Sequence, residues 1–524
     1  MLDMFLAQAP AAPLEVPSVD YAAVLPMLIV FGVACIGVLV EAFAPKATRW
    51  GIQVTISLVA ILAAGVSLIL YATGASATKA GTTTFSGSIS VDRPSLFLWG
   101  TLLLLGLGAV FLIADRKVEP GGAFVAQAAI RPGTVQDRAQ AATTSQTEVF
   151  PLTLFALGGM MTFCAANDLL TMFIALEVLS LPLYLMCGLA RRRRLISQEA
   201  AVKYFLLGAF SSAFFLYGLA LLYGYADSVK LVDIAHAAAG SDRSDTLLFA
   251  GLGLLVVGLL FKGSVGPFHT WTPDVYQGAP TPVTGFMAAC TKVAAFGAIL
   301  RVLSVGFSST SWEWRGVMWA VAIISMALGA VLGLTQTDVK RMIAYSSVAH
   351  AGFLLVGAIA MTEDGLSGTL FYLLAYGFTT LAAFGVVSLV RDSSGEATHL
   401  SAWAGLAKRS PLLAGVFTFL LLALAGIPLT SGFVGKFVVF SAALSDGMAP
   451  LVVVALVFSA VAAFFYLRVI VLMYFSEPAA DGPTVTVPGG FTTAAIALGV
   501  VVTLVLGVLP AFALDWAGAG GFAS

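Results

Sequence analysis

The chain has 524 residues, 59% of them hydrophobic and only 10% charged, with a net charge of −1. A soluble domain carries about 25% charged residues, so this balance excludes a soluble globular protein. Without a basic excess it also gives no support for a nucleic-acid partner. Four cysteines (Cys35, Cys164, Cys187 and Cys290) lie far apart in apolar runs. They form no CxxC or Cys/His cluster, which argues against iron–sulfur or zinc ligation and leaves them as small apolar packing residues.

Met1 to Asp20 holds no basic residue and too short an apolar core for a signal peptide. A bilayer span needs roughly 20 apolar residues. Spans are predicted at 21–44, 51–73, 94–114, 149–166, 168–190, 198–225, 246–277, 279–302, 316–334, 339–361, 365–390, 411–445, 448–475 and 490–514, fourteen in all. The expected fold is therefore an all-α polytopic membrane protein. The segments 246–277 and 411–445 are too long for simple spans, and Gly/Pro clusters interrupt them at Val265–Pro267 and Ala425–Gly432.

If the N-terminus is outside, the inner loops hold 15 Lys/Arg and the outer loops 6, with Arg191–Arg194 and Lys340 counted inside and Arg301 outside. Positive charge stays in the cytoplasm, so both termini are predicted on the outer side. The Arg191–Arg194 run reads as an orientation signal, with anionic-lipid binding as the alternative. The long inner loop 116–148 is rich in Ala, Gly and Gln and carries no motif; it is expected to be flexible or to dock on a neighbouring subunit.

The predicted organisation is three N-terminal spans (1–115), the cytoplasmic loop 116–148, five spans over 149–302, five more over 316–475, and a last span at 490–514. The interrupted helix is the fourth of each five. An odd number of spans turns the second copy upside down, the arrangement of inverted-repeat transporters with discontinuous helices at the midplane.

Few ionisable groups remain within spans: Glu41, Glu177, Lys203, Lys262, Lys292, His350, Lys436 and Arg468. Each charge at a helix centre costs about 2.5–3.5 kcal/mol by insertion scales. Glu177, Lys262 and Lys292 lie too deep to snorkel, and Lys436 follows the second break. Lys203 lies within two turns of a helix end, where snorkelling is the alternative. His350 has Tyr345, Ser346 and Ser347 beside it for a polar path. Glu41 and Arg468 read first as structural charges, and His269 and Asp274 as supports of the broken helix.

Burial lowers a lysine pKa and a nearby carboxylate raises it again. A Glu–Lys pair of changing separation can thus bind and release a proton. A Na⁺ site would want several converging carboxylates or carbonyls, so central lysines favour H⁺. The residues alone lead to a membrane proton path with two half-channels.

The string Lys262-Gly-Ser-Val-Gly-Pro-Phe-His-Thr-Trp-Thr-Pro-Asp-Val-Tyr-Gln-Gly-Ala-Pro-Thr-Pro-Val283, followed by Thr291-Lys292, resembles the antiporter-like membrane subunits of complex I, the proton-pumping NADH:quinone oxidoreductase. Leu176–Pro182, Gln336–Gly352 and Gly426–Phe437 carry the same resemblance, which covers about 149–475. The form Pro273-Asp-Val-Tyr-Gln-Gly-Ala-Pro280 is similar to the subunit N branch, and Lys436 in place of a glutamate sets the chain apart from subunit M.

The resemblance implies that Lys262, paired with Glu177, takes a proton from the inner side. The proton then passes through Lys292 and His350 to Lys436 and out, with Lys203 matching the family's sixth-helix lysine. It further implies no cofactor in this chain, with NADH, FMN, iron–sulfur clusters and quinone held by partner subunits. The partners would be other complex I membrane subunits and the lipid bilayer, in the cell inner (plasma) membrane. The competing expectation is a subunit of a multi-subunit cation/proton antiporter, which shares the Lys/Glu set.

Overall fold

In the computed structural model, the described residues are 19–74, 81–119, 121–125, 134–136, 146–240, 245–392, 395–478 and 482–523. The first helices are α1 (Tyr21–Phe43), α2 (Lys46–Thr73), α3 (Arg93–Ala114), α4 (Val149–Ala165), α5 (Leu169–Cys187) and α6 (Arg194–Ala226). After them come the short α7 (Leu231–Gly240), then α8 (Asp245–Lys262), α9 (Trp271–Gly278), α10 (Thr281–Gly306), α11 (Ser311–Thr335), α12 (Val339–Ala360) and α13 (Glu363–Val387). The last are α14 (Pro411–Ala425), α15 (Ser431–Ser445), α16 (Ala449–Phe475), α17 (Gly490–Val508) and α18 (Ala511–Ala517).

Several starts are set by side-chain caps that satisfy orphan N–H groups. Asp92 accepts from Ser95 N, Asp168 from Thr171 N, Asp338 from Arg341 N, and Thr362 from Gly365 N. Strand content is confined to the connections: a hairpin (Thr82–Thr84 with Ile89–Val91) and a small sheet of Gly395–Glu396, Val390–Asp392 and Thr484–Val485.

Among the described residues, twelve helices are long and apolar enough to cross a membrane. The expected fourteen spans are reached by adding α4, which is 17 residues long, and the broken pair α14/α15. The protein is a multi-pass membrane protein. Within the bundle, α10 and α13 are buried along their whole hydrophobic windows and α12 and α3 nearly so, whereas α1, α2, α6, α11, α16 and α17 are buried over only 33–39% of theirs. The apolar exposed faces of that outer ring suit lipid, and the inner helices carry the buried charges described below.

Both expected interruptions occur. Between α8 and α9, residues 263–270 leave the helix: Ser264 has φ 58° and Gly266–Pro267 is a cis peptide. Between α14 and α15 the chain turns at Gly426, whose φ of 85° is open to glycine without steric penalty. Its N–H bonds to Leu422 O and Ala423 O, and Ile427 N–H also reaches Leu422 O, a glycine-based helix end. A third irregularity was not expected. α10 has π-helical turns at Met287–Thr291 and at Val302–Gly306.

Two charges assigned to loops are in fact inside the protein. α10 runs on to Gly306, so Arg301 is not in a connecting segment; it is fully buried and Asp92 meets it at 2.9 Å. Ser95 Oγ (2.6 Å) and Cys164 O (2.9 Å) accept further Arg301 N–H bonds. A hydropathy window stops at an arginine because it cannot see the partner that neutralises it from another helix. Lys340 is likewise 1% exposed. The last predicted span, 490–514, ends at Val508 and resumes as α18 after Pro510.

Residues 119 and 123–125 of the 116–148 loop pack on this same chain. Val125 N–H bonds to Leu189 O and Arg191 N–H to Ala123 O, while Glu119 pairs with Arg192 and Arg391, each at 3.0 Å. The rest of that loop, and residues 1–18 of the N-terminal segment, lie outside the described residues.

Removing one member of a buried pair leaves the other charge uncompensated, at about 3–5 kcal/mol. Arg301→Ala should therefore lower the apparent melting temperature of the detergent-solubilised protein strongly. The apolar double replacement Arg301→Met/Asp92→Leu should recover much of the loss, as read by thermal unfolding of both variants.

Candidate functional site

The site begins on α5. Glu177, Ser180 and Tyr184 are spaced by three and four residues and so share one face. Lys262, the last residue of α8, brings its ammonium to that face. Its Nζ donates to Ser180 Oγ at 2.7 Å and to Tyr204 OH at 3.1 Å, and lies 5.2 Å over the Tyr204 ring. Tyr204 is held by Trp271, whose ring stacks on it at 4.5 Å. Trp271 in turn gives its indole N–H to Phe261 O at 2.9 Å, a carbonyl freed by the end of α8. The break is thus stabilised by an aromatic residue from its far side.

The expected Glu177–Lys262 ion pair is not made in this structure. Oε1 of Glu177 is buried without a hydrogen-bond partner, and the Lys262 ammonium is turned towards the two hydroxyls instead. Glu177 and Ser180 are one helical turn apart on that face.

Lys292 opens the regular part of α10, directly after the π turn at Met287–Thr291. Such π turns are frequent at functional sites. Its Nζ donates to Gly263 O at 3.1 Å and to Ser347 O at 2.9 Å, and sits 5.6 Å over the Tyr376 ring. Gly263 follows Lys262, so the ammonium of Lys292 rests on a carbonyl exposed by the first break. Lys436, in the second turn of α15, does the same at the second break. It donates to Leu424 O (3.2 Å), Ala425 O (2.9 Å) and Ser459 Oγ (3.0 Å). The C-terminal end of a helix carries a partial negative charge of about −0.5, so each half-helix end is a preformed seat for a cation.

His350 on α12 lies between these two lysines. Its Nδ1 is 2.7 Å from Tyr372 OH and its Nε2 3.3 Å from Tyr466 OH. Tyr466 OH also bonds Ser346 Oγ. The His350 ring packs on Tyr376 (5.0 Å), which faces Lys292, and on Phe353 (5.8 Å), which faces Lys436. Along this line Ser347 Oγ, Tyr376 OH, Thr380 Oγ1 and Ser431 Oγ are buried with no protein partner. Buried polar atoms of this kind are satisfied by ordered water. The structure therefore brings Lys262, Lys292, His350 and Lys436 into one buried polar line, with the half-buried Glu177 at its Lys262 end.

Lys203 is not on that line. Its side chain is 41% exposed and bonded to Asp274 and Glu199, each at 2.7 Å. Asp274 also holds Arg341 at 2.6 Å, so it ties α6, α9 and α12 together. The helical rotation between neighbours separates the two: Tyr204 faces inward to Lys262, and Lys203 points away, as the snorkelling alternative has it. His269 is buried next to the break, with Nδ1 unpartnered. Glu41 pairs with Arg49 at 3.3 Å and accepts from Gln53, and Arg468 donates to Leu334 O, both structural contacts.

Reading the charges alone overlooks the hydroxyl groups. Tyr372 and Tyr376 stand four residues apart on α13, a spacing visible in the sequence once a partner helix is known. Tyr204, Tyr466 and Ser459 carry no such signal.

Residues 166–476 match the family model described as NADH:quinone oxidoreductase/Mrp antiporter, transmembrane. The chain belongs to this family. It is 76% identical over 514 residues to NADH-quinone oxidoreductase subunit N of Saccharopolyspora erythraea, covering 97% of this chain and 99% of that one. It is 59% identical to the protein of the same name from Acidothermus cellulolyticus, covering 98% of each. Among solved structures, a chain of respiratory complex I from Thermus thermophilus with bound Aureothin matches at TM-score 0.75 and 34% identity, over 95% of this chain and 100% of that one. A chain of the Mrp complex from Dietzia sp. matches at TM-score 0.79 and 21% identity, over 94% and 96%, and shares the fold.

The seat for Lys436 depends on close backbone approach. A Cβ on Gly432 would lie 1.9 Å from Ala423 O, whereas one on Gly415, in α14, meets nothing within 4 Å. Gly432→Ala should lower thermal stability by the ~1–3 kcal/mol typical of overpacking. Gly415→Ala should leave it unchanged or raise it slightly, and parallel melting curves of the two variants check the contrast.

Proposed function

We propose that this chain is the subunit N type of antiporter-like membrane subunit in complex I. It translocates protons while other subunits oxidise NADH and reduce quinone. Its partners are the other membrane subunits of that complex and the lipid bilayer. Near-full-length likeness to proteins named subunit N, and to a chain of complex I, supports the assignment. The observation that carries the mechanism is the line of three buried ammonium groups, two of them seated on carbonyls freed by helix breaks and joined by His350.

In this reading the chain holds no redox centre, and NADH, FMN, iron–sulfur clusters and quinone belong to partner subunits. The protein lies in the cell inner (plasma) membrane with both termini outside, so the Arg191–Arg194 end of the bundle faces the cytoplasm. The two five-helix units, 149–302 and 316–475, are inverted copies, each contributing one broken helix.

Glu177 sets the charge state of Lys262. When the ammonium swings from Ser180 and Tyr204 towards the carboxylate, the charged form is favoured; when it swings back, the proton is released. A neutral Lys292 accepts that proton through water and hydroxyls. Its new positive charge is held by Gly263 O and Ser347 O. His350, with Tyr372 and Tyr466 fixing its ring, relays it towards Lys436. Release from Lys436 leads to the outer side, because α15 continues in that direction from the break. Lys203, held in an exterior ion cluster, acts only as a charge at the inner rim.

Lys262→Ala and Glu177→Ala should each lower proton pumping and coupled quinone reduction while the complex still assembles. Pumping is measured as acidification in intact vesicles energised with NADH; parent-level pumping by either variant would refute the path. Na⁺/H⁺ exchange without redox activity would instead place the chain in a cation antiporter. Lys436→Ala should be more harmful than Arg468→Ala at equal assembly, since only the first removes a charge from the line; equal losses of activity would contradict that order.

A further inference from the structure

A second charged group, which the axis does not use, stands at the foot of α10. Lys340, in the first turn of α12, is 1% exposed. Its Nζ donates to Ala279 O and Thr281 Oγ1, each at 2.9 Å, and lies 3.5 Å from Glu396 Oε2. Thr281 gives its hydroxyl proton to that same carboxylate oxygen at 2.5 Å. Ala279 and Thr281 flank Pro280, the joint between α9 and α10. The cluster is therefore built onto the start of the helix that carries Lys292.

Glu396 borders a cleft on the arginine-rich end of the bundle, lined also by Glu119, Arg192, Gln277 and Arg391. Its free space is about 40 Å³, and a water needs roughly 10–15 Å³, so water can reach the carboxylate. The charged groups around Glu396 are Lys340 from α12, Arg391 from the neighbouring strand, Arg192 and Arg193 from the turn before α6, and Glu119. Glu119 is already paired with Arg192 and Arg391, and Arg193 binds the Glu396 backbone carbonyl and Thr398. Arg191 lines the same cleft, and among the described residues the cation paired with the Glu396 carboxylate is Lys340.

Polar groups continue inward from this point. Lys340 and Ser347 are seven residues apart and share one face of α12, roughly 10 Å apart along its axis. Ser347 O holds the Lys292 ammonium. Tyr276, 1% exposed, sits on α9, which packs against α12, and adds a buried hydroxyl beside this face.

We propose that Glu396 is a second proton entrance, which loads Lys292 from the arginine-rich side without passing through Lys262. The inference rests on the reading of the buried line as a proton path. The Glu396 carboxylate takes a proton from water in the cleft and becomes a neutral acid. That proton moves on over the Thr281 and Tyr276 hydroxyls and intervening water to a neutral Lys292, and Glu396 returns to the carboxylate. Only O–H and N–H bonds break and form, and the net change is one proton moved inward. Lys340 keeps its own proton throughout. Its buried positive charge repels metal cations from the joint.

The test uses the assembled complex in vesicles, with NADH-driven acidification normalised to quinone reduction. Glutamine keeps the size of Glu396 and still accepts from Thr281 and Lys340, so a purely structural role survives Glu396→Gln. The proposal expects Glu396→Gln to pump at least about threefold more slowly, well short of the 10²–10⁴ of a lost general base because the Lys262 entrance stays open. Glu396→Asp should recover most of the rate, and added formate, a small weak acid, should restore Glu396→Gln. A loss that neither aspartate nor formate repairs would overturn it. So would parent-level pumping by Glu396→Gln, and if Lys292→Ala is defective in the same assay, the buried line itself stands. Parent-level pumping by Lys292→Ala would instead remove the line and the second entrance together.

Discussion

The seating of a lysine ammonium on carbonyls that a broken helix can no longer use is the interaction on which the rest depends. In an apolar interior a lone ammonium is expensive, and so is a main-chain carbonyl without a donor. Bringing the two together cancels both costs. Lys292 meets Gly263 O at the first break, and Lys436 meets Leu424 O and Ala425 O at the second. The break and the charge support each other: an unbroken α8–α9 or α14–α15 would leave Lys292 only Ser347 O and Lys436 only Ser459 Oγ.

The same economy explains the surroundings. Trp271 takes Phe261 O and stacks on Tyr204, so the first break is closed by a ring that also positions the Lys262 partner. Gly426 and Gly432 let the second break fold back tightly enough to reach Lys436. Neutral acceptors such as hydroxyls and carbonyls hold an ammonium without fixing its proton as a carboxylate would. The ammonium of Lys262 is bound to Ser180 and Tyr204, with Glu177 one turn away on the same helix. Charges with a purely structural task are arranged differently. Arg301 and Asp92 make direct, multiply bonded contacts, and such pairs hold helices together.

Much of this was legible in the sequence because hydropathy is a local property. A run of apolar residues must cross the bilayer, so the spans and both interruptions could be read in order. A lysine inside such a run is conspicuous for the same reason, and Lys262, Lys292 and Lys436 all lie where the charge argument put them. The argument failed where the deciding partner came from elsewhere in the chain. Arg301 was read as a loop residue because Asp92, more than two hundred positions earlier, neutralises it. For Lys203 the sequence left path residue and snorkelling side chain both open, and the structure turns it out towards Asp274 and Glu199.

The sequence by itself determined the membrane class, the number and order of spans, the places where helices break and the presence of Lys262, Lys292, His350 and Lys436 inside them. These follow from composition and spacing along one strand of chain. Only the tertiary structure decided which charges share a line, which acceptor each ammonium meets, and that hydroxyls of Tyr204, Tyr372 and Tyr466 complete it. The packing of helices distant in sequence sets those contacts, and a side chain's facing depends on rotations of its helix that no run of residues records.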